Sequence, residues 1–110
     1  MTIRSEILTE ANALITGDRQ AQYGPPAENF ERIAAGWRVI LGCDVTPSQV
    51  ALAMAWLTIA RVVNGPHRDG FVDGVGYLAL AGELSDACTT NFPVVAHDLP
   101  EAVIGHGVAP

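Results

Sequence analysis

Three clusters of glycine and proline cut this chain into helix-length segments: Gly24-Pro25-Pro26, Gly42 followed by Thr46-Pro47, and Asn64-Gly65-Pro66. Proline lacks an N–H and fixes its own backbone, so it is tolerated at a helix start and breaks a helix interior. Between the breaks, apolar residues recur at steps of three and four, the period of an amphipathic helix. Few of them fall in β-branched runs bounded by turn signals.

The first predicted helix runs from residue 2 or 3 to 15 or 16, with Ile3, Ile7, Ala11, Leu14 and Ile15 on its stripe and Gly17 as its stop. A polar connection follows over residues 18–26. The second helix spans 26–41, with Phe30, Ile33, Ala34, Trp37 and Leu41 on one stripe. The third opens on Thr46-Pro47 as N-cap and first residue and continues to about residue 63. It is apolar nearly all round, so it is expected to be the most buried, with Trp56, like Trp37, in the core. The fourth starts at residue 68 or 69 and runs to about 87. It contains Gly70, Gly74, Gly76 and Gly82. Each glycine costs about 1 kcal/mol in a helix interior, so this number implies close approach of a second backbone or of a ligand. Residues 89–110 show no period and read as an irregular or disordered tail beyond a helical domain of residues 1–88.

The expectation is therefore an all-α four-helix bundle. A chain of 110 residues has little interior in which to hide an all-round apolar helix, so a dimer or higher homo-oligomer is expected. The net charge of −6, with six scattered basic residues, excludes DNA or RNA binding by charge, but not a free nucleotide whose phosphates a metal neutralises. Two cysteines with no CxxC and no Cys/His cluster argue against a disulfide scaffold or a structural zinc. The first ten residues lack the apolar core of a signal peptide, and the longest apolar run, residues 50–60, is too short to span a bilayer. The expectation is a cytoplasmic protein, in a bacterial cell or an infected host, without membrane contact.

Four carboxylates carry the chemistry. Glu28 and Glu31 are three apart at the flank of the second helix's stripe; Asp69 and Asp73 are four apart on the fourth helix, on a face that Tyr77 and Leu80 continue. If both pairs meet in one cleft, they form an oxygen-rich site suited to Mg²⁺ or Mn²⁺, able to bind phosphate oxygens and activate a water. The ordinary alternative is that acidic residues sit early in helices because the dipole favours them. Arg19 and Tyr23 precede the second helix and suit a phosphate and a base, or simply a turn. Arg61 suits a phosphate, a helix C-terminus or an ion pair with Asp69 or Asp73, and Asn29 a substrate contact or solvent. His67 reads as a solvated loop residue.

The run Gly17-Asp18-Arg19-Gln20-Ala21-Gln22-Tyr23-Gly24, then Glu28-Asn29-Phe30, Ile33-Ala34, Trp37, Ala60-Arg61 and Asp69-x-x-x-Asp73-x-x-Gly76-Tyr77, resembles a family of small phage and prophage proteins of unknown function. The resemblance covers about residues 5–86. That family looks like the all-α nucleoside triphosphate pyrophosphohydrolases of the MazG and dimeric dUTPase type. Those enzymes bind Mg²⁺ through ExxE on one helix and ExxD on a later one, release pyrophosphate from a nucleoside triphosphate, and usually form dimers or tetramers. Glu28 and Glu31 match the first motif; Asp69 and Asp73 stand four apart where the enzymes have three. The enzymes also tend to carry a lysine three residues before Arg61, where this chain has Thr58.

The resemblance implies a Mg²⁺-dependent pyrophosphohydrolase-like protein acting on (d)NTPs. Glu28, Glu31, Asp69 and Asp73 would hold the metal, with Glu31 and Asp73 catalytic. Arg19, Tyr23, Asn29, Arg61 and Tyr77 would hold the nucleotide. The competing expectation is a non-catalytic phage accessory protein that binds a nucleotide or a host protein through the same cleft.

Overall fold

The computed structural model describes residues 2–85, the side chains of Asp18 and Arg19 excepted. Among these residues every regular element is helical: α1 (Ile3–Ala13), a π-helical turn (Leu14–Asp18), α2 (Arg19–Tyr23), α3 (Pro26–Leu41), α4 (Pro47–Asn64) and α5 (Arg68–Glu83). The four long helices are those expected from the period of the sequence. The expected tail lies outside the described residues.

Local chemistry sets the helix ends. Thr2 caps α1 by accepting from the Ser5 N–H at 3.2 Å. Thr46 and Gln49 form a reciprocal capping box on α4, with Pro47 in the first turn. Gly42, at φ 69°, closes α3 with its N–H donating to the Arg38 carbonyl. That left-handed conformation suits glycine because it has no Cβ.

Two boundaries differ from expectation. Gly17 does not stop the first helix: the chain widens into the π turn and continues as α2, so much of the expected loop is helical. Thr16 donates its hydroxyl to the Asn12 carbonyl at 2.6 Å, and such a bond competes with the backbone ladder and bends it. The stop comes instead at Gly24, at φ 81°. At the other end, α5 finishes at Glu83 with Leu84 as its cap, ahead of the expected residue 87.

The core lies where α3, α4 and α5 converge. Phe30, Ala34, Val45, Val50, Ala51, Leu80 and Ala81 form the buried cluster, with Ile15, Ile33, Trp37, Met54, Tyr77 and Leu84 packed against it. The Ser48 hydroxyl donates to the Ala81 carbonyl at 2.9 Å, tying the start of α4 to the end of α5. Glycines bring these two helices close together. A Cβ on Gly70 would stand 2.5 Å from Val62 Cγ2, and one on Gly74 would stand 3.2 Å from Thr58 Oγ1. Gly76 does the same service for the π turn, where Ile15 Cγ2 would be 3.1 Å away. Across α5, Arg68 reaches α1 and donates to Glu10 at 2.9 Å, with Glu6 also in range. Those carboxylates hold the Arg68 guanidinium charged more firmly than usual, the Glu10 hydrogen bond being the main cause.

The expectation for the third predicted helix needs correction within one chain. Val50, Ala51, Ala55 and Thr58 of α4 are buried, but Trp56 is 70 % exposed and Val63 is 79 % exposed. Trp37 does pack on the core, whereas Trp56 points to solvent because α3 and α5 cover only one side of α4.

The glycine contacts have opposite consequences at two positions. Gly70→Ala is expected to destabilise by about 1–3 kcal/mol, because the methyl must displace a β-branched valine in a packed interface. Gly36→Ala, with nothing within 4 Å of its new methyl, is expected to stabilise by about 0.5–1 kcal/mol. Thermal melts followed by circular dichroism check both signs, with shifts of about 4–8 °C per kcal/mol for a domain of this size.

Candidate functional site

Between the π turn and α2 on one side and α3, α4 and α5 on the other lies a cleft of about 230 Å³. Its apolar floor and walls include Ile15, Phe30, Ile33, Met54 and Leu80, and its polar groups come from Gln20, Tyr23, Asn29 and Tyr77. The elements explain this mixture. Phe30 and Ile33 belong to the apolar stripe of α3, and Asn29 lies at its edge. Tyr23 stands at the end of α2, just before the left-handed Gly24 turns the chain into α3. An apolar cavity with a few polar groups at its edge is the usual form of a small-molecule site. Two tyrosines suit a planar ring, and a side-chain amide offers both a donor and an acceptor.

A smaller depression adjoins the cleft and shares Ile15, Tyr77 and Leu80 with it; Asp73 and Gly76 complete its rim with Leu14. Each residue turns a helix by about 100°. On α5 this puts Asp69, Asp73, Tyr77 and Leu80 along one line, so the aspartates follow the cleft wall toward the start of the helix. Asp73 is half-buried and Asp69 is exposed.

The same arithmetic separates the glutamates from the cleft. On α3 the cleft is lined by Pro26, Asn29, Phe30 and Ile33. Glu28 and Glu31 project from the other flank of the Phe30 stripe, and both are exposed. Glu31 is engaged there: both its carboxylate oxygens accept from Arg38 Nη2 at 2.9 Å. Arg38 Nε also donates to the Val45 carbonyl at 2.9 Å, so this arginine bridges α3 to the segment that leads into α4. Among the described residues, no group of three or more Asp, Glu, His or Cys is gathered to hold a metal ion. One chain therefore brings Asp69 and Asp73 to the cleft side and leaves Glu28 and Glu31 on another.

Of the remaining candidates, Tyr23, Asn29 and Tyr77 all reach the cleft. Arg61 is exposed in the last turn of α4 and pairs with neither Asp69 nor Asp73. It lies on the same line of α4 as the cleft residue Met54, two turns further on. Thr58 is buried, donates to the Ala55 carbonyl at 2.6 Å and packs against Gly74, so it offers no group to solvent. The Arg19 side chain lies outside the described residues. His67 is exposed and donates through Nδ1 to the Gly65 carbonyl at 2.8 Å, shaping the turn before α5. Among the cleft residues that sequence reasoning did not assign to the site are Gln20, Ile15 and Met54. Gln20 had a signal, its place between Arg19 and Tyr23; the other two look like any core residue.

Residues 6–85 match the family described as domain of unknown function DUF6378. The chain belongs to this family. Its relatives include the Gene 55 protein of Mycobacterium phage L5, 47 % identical over 73 residues, which cover 64 % of this chain and 47 % of that protein. The Gene 55 protein of Mycobacterium phage D29 is 44 % identical over 72 residues, covering 64 % and 48 %. The chain thus spans about half the length of these curated relatives. No solved structure matches it. No helix among the described residues is long and apolar enough to cross a membrane.

The Arg38 contacts predict an asymmetry that separates structure from chemistry. Arg38→Ala is expected to cost about 1–2 kcal/mol, because the Val45 carbonyl loses its donor. Glu31→Gln is expected to cost less than about 1 kcal/mol, since its pair is solvent-exposed. Urea unfolding measures both; a clear gain in stability for Glu31→Gln would mark a carboxylate kept for function rather than for the ion pair.

Proposed function

We propose that this chain is a nucleotide-binding protein of the MazG-like type, acting on (d)NTPs or related nucleotides as a Mg²⁺-dependent pyrophosphohydrolase and working as a homo-oligomer. The observation that supports the reading is the cleft itself: an apolar slot edged by Tyr23, Asn29 and Tyr77, with Asp73 on the adjoining rim. The base enters the slot, where the tyrosines contact its faces and Asn29 and Gln20 meet its polar edge. The phosphates then lie along the α5 line toward Asp73 and Asp69, where an arginine such as Arg61 suits them.

Four carboxylates around one ion do not fit a single chain, given where Glu28 and Glu31 project. The Asp69 and Asp73 pair does fit a Mg²⁺ (or Mn²⁺) that arrives with the nucleotide, because such ions take one or two carboxylates and complete their shell with phosphate oxygens and water. When bound, the ion would neutralise phosphate charge beside a chain that is itself acidic. Glu28 and Glu31 join such a site only from a second copy.

A second reading has its own support: Glu31 is occupied by Arg38, and Thr58 is buried where the enzymes carry a lysine. On that reading the cleft binds a nucleotide, or a host protein, without turnover.

Pyrophosphate release from a panel of nucleoside triphosphates, with and without Mg²⁺ or Mn²⁺, tests the choice. The expected result is metal-dependent release that falls by about 100-fold or more on Asp73→Asn. An equal fall on Glu31→Gln would bring that residue into the site, and turnover unchanged by both substitutions would overturn the catalytic reading. Saturable nucleotide binding without release, weakened by Asn29→Asp, would favour the second reading.

A further inference from the structure

The outward face of α4 has no partner among the described residues and carries no charge. Leu52, Trp56, Ile59 and Val63 stand at steps of four, three and four, and their exposures are 49 %, 70 %, 44 % and 79 %. The one charged residue of α4, Arg61, lies on the opposite side, on the line of Met54. By contrast, the outward side of α3 carries Glu28, Glu31 and Arg32. Other exposed apolar residues form smaller sets: Val39 to Leu41 in the last turn of α3, Phe71 and Leu78 on α5, and Ile3 and Leu8 on α1.

Beside the large residues runs a second line, again by the 100° rule: Gln49, Ala53, Ala60 and Asn64, all exposed. This line is palindromic. Its spacings are four, seven and four, and reversing it about Trp56-Leu57 exchanges Gln49 with Asn64 and Ala53 with Ala60. Small residues sit inside, polar amides at both ends, and the two bulky side chains flank the midpoint.

We infer that this face of α4 is the contact surface of a homodimer, in which two copies of α4 pair antiparallel about a two-fold axis beside Trp56 and Leu57. Several observations favour a second copy as the occupant. A two-fold contact requires a surface complementary to its own reversal, and the palindromic line supplies one. Ala53 lies against Ala60 of the partner subunit, so the backbones approach closely. Gln49 meets Asn64 of the partner subunit at each end, giving a polar rim. Each copy has a net charge of −6, yet this face adds nothing to their repulsion. The helix is about 27 Å long. Its bare side chains expose on the order of 400–500 Å² of apolar surface, which is at the upper end for a monomer's largest patch and forms the apolar centre that a dimer face of about 800 Å² requires. The inference does not depend on the catalytic reading: a dimer without turnover leaves it intact, and turnover by a monomer overturns it while leaving the chemistry of the cleft in place.

Light scattering on the eluting full-length chain is the first measurement. A dimer is expected, with Trp56→Glu giving a monomer of unchanged helical circular dichroism. A wild-type monomer overturns the inference, whether the face stays bare or another part of the chain covers it, and so does a folded Trp56→Glu dimer. If Trp56→Glu fails to fold, register decides. In a Cys43→Ser, Cys88→Ser background, oxidation of an equal mixture of Ala53→Cys and Ala60→Cys chains is expected to give a disulfide-linked dimer. Neither chain alone is expected to do so. No cross-link in the mixture, or equal cross-linking within each chain alone, overturns the antiparallel pairing.

Discussion

The close packing of α4 on α5 is the constraint on which the rest of the structure depends. Val62 against Gly70 leaves no space for a β-carbon and Thr58 against Gly74 leaves little, and this fixes both the separation and the rotation of the two helices. Once α5 is rotated to present Gly70 and Gly74 to α4, the line Asp69–Asp73–Tyr77–Leu80 turns toward α1, the π turn and α3. Arg68 then reaches Glu6 and Glu10 on α1, holding that helix across α5. The cleft is what remains between these surfaces after the π turn has folded Ile15 down against Gly76.

The π turn connects this packing to function. Regular continuation of α1 would rotate each later residue by a fixed angle and lead the chain away from α3. After the widened turn the chain continues as α2, which brings Gln20 and Tyr23 to the cleft. Single π turns inside α-helices are often found at functional sites because they redirect side chains at a small cost in hydrogen bonding. Here the cleft roof is a five-residue helix ended by a left-handed glycine, and it carries little buried surface: Gln20, Ala21, Gln22 and Tyr23 are all exposed. Segments with so few buried contacts are the ones that open at low free energy. Ligand access through α2 therefore requires no disturbance of the α3–α4–α5 core.

Much of the fold was legible in the sequence, and the reasons are local. Thr46-Pro47 with Gln49 is a complete capping box, and the Phe30–Trp37 stripe marks a buried face at the helical period. The glycines of the fourth predicted helix did signal close approach, at Gly70, Gly74 and Gly76. Gly17 misled, because the signal for a stop is the left-handed backbone of Gly24, which composition does not reveal. The site was legible in part. Tyr23, Asn29, Asp73 and Tyr77 come together around the cleft and its rim. Spacing of three shows that Glu28 and Glu31 are neighbours, but not which flank of α3 faces the cleft. Thr58 and Trp56 were illegible for a related reason: burial on α4 depends on where α3 and α5 end, a tertiary property.

The uneven burial of α4 joins these points. A helix apolar on every side is explained by two partners, and α5 with α3 supplies only one of them. The cleft, with Asp73 on the rim of the depression beside it, lies toward the buried side, while the palindromic face lies outward. Glu28 and Glu31 sit on α3 away from the cleft of their own chain, so any chemistry that needs all four carboxylates needs a second chain as well. A dimer through α4 leaves the Glu31–Arg38 pair at the surface, where a shift of Arg38 frees the carboxylate but also unpairs the Val45 carbonyl at the foot of α4. Arg38 thus ties the Glu31 ion pair to the segment that starts α4.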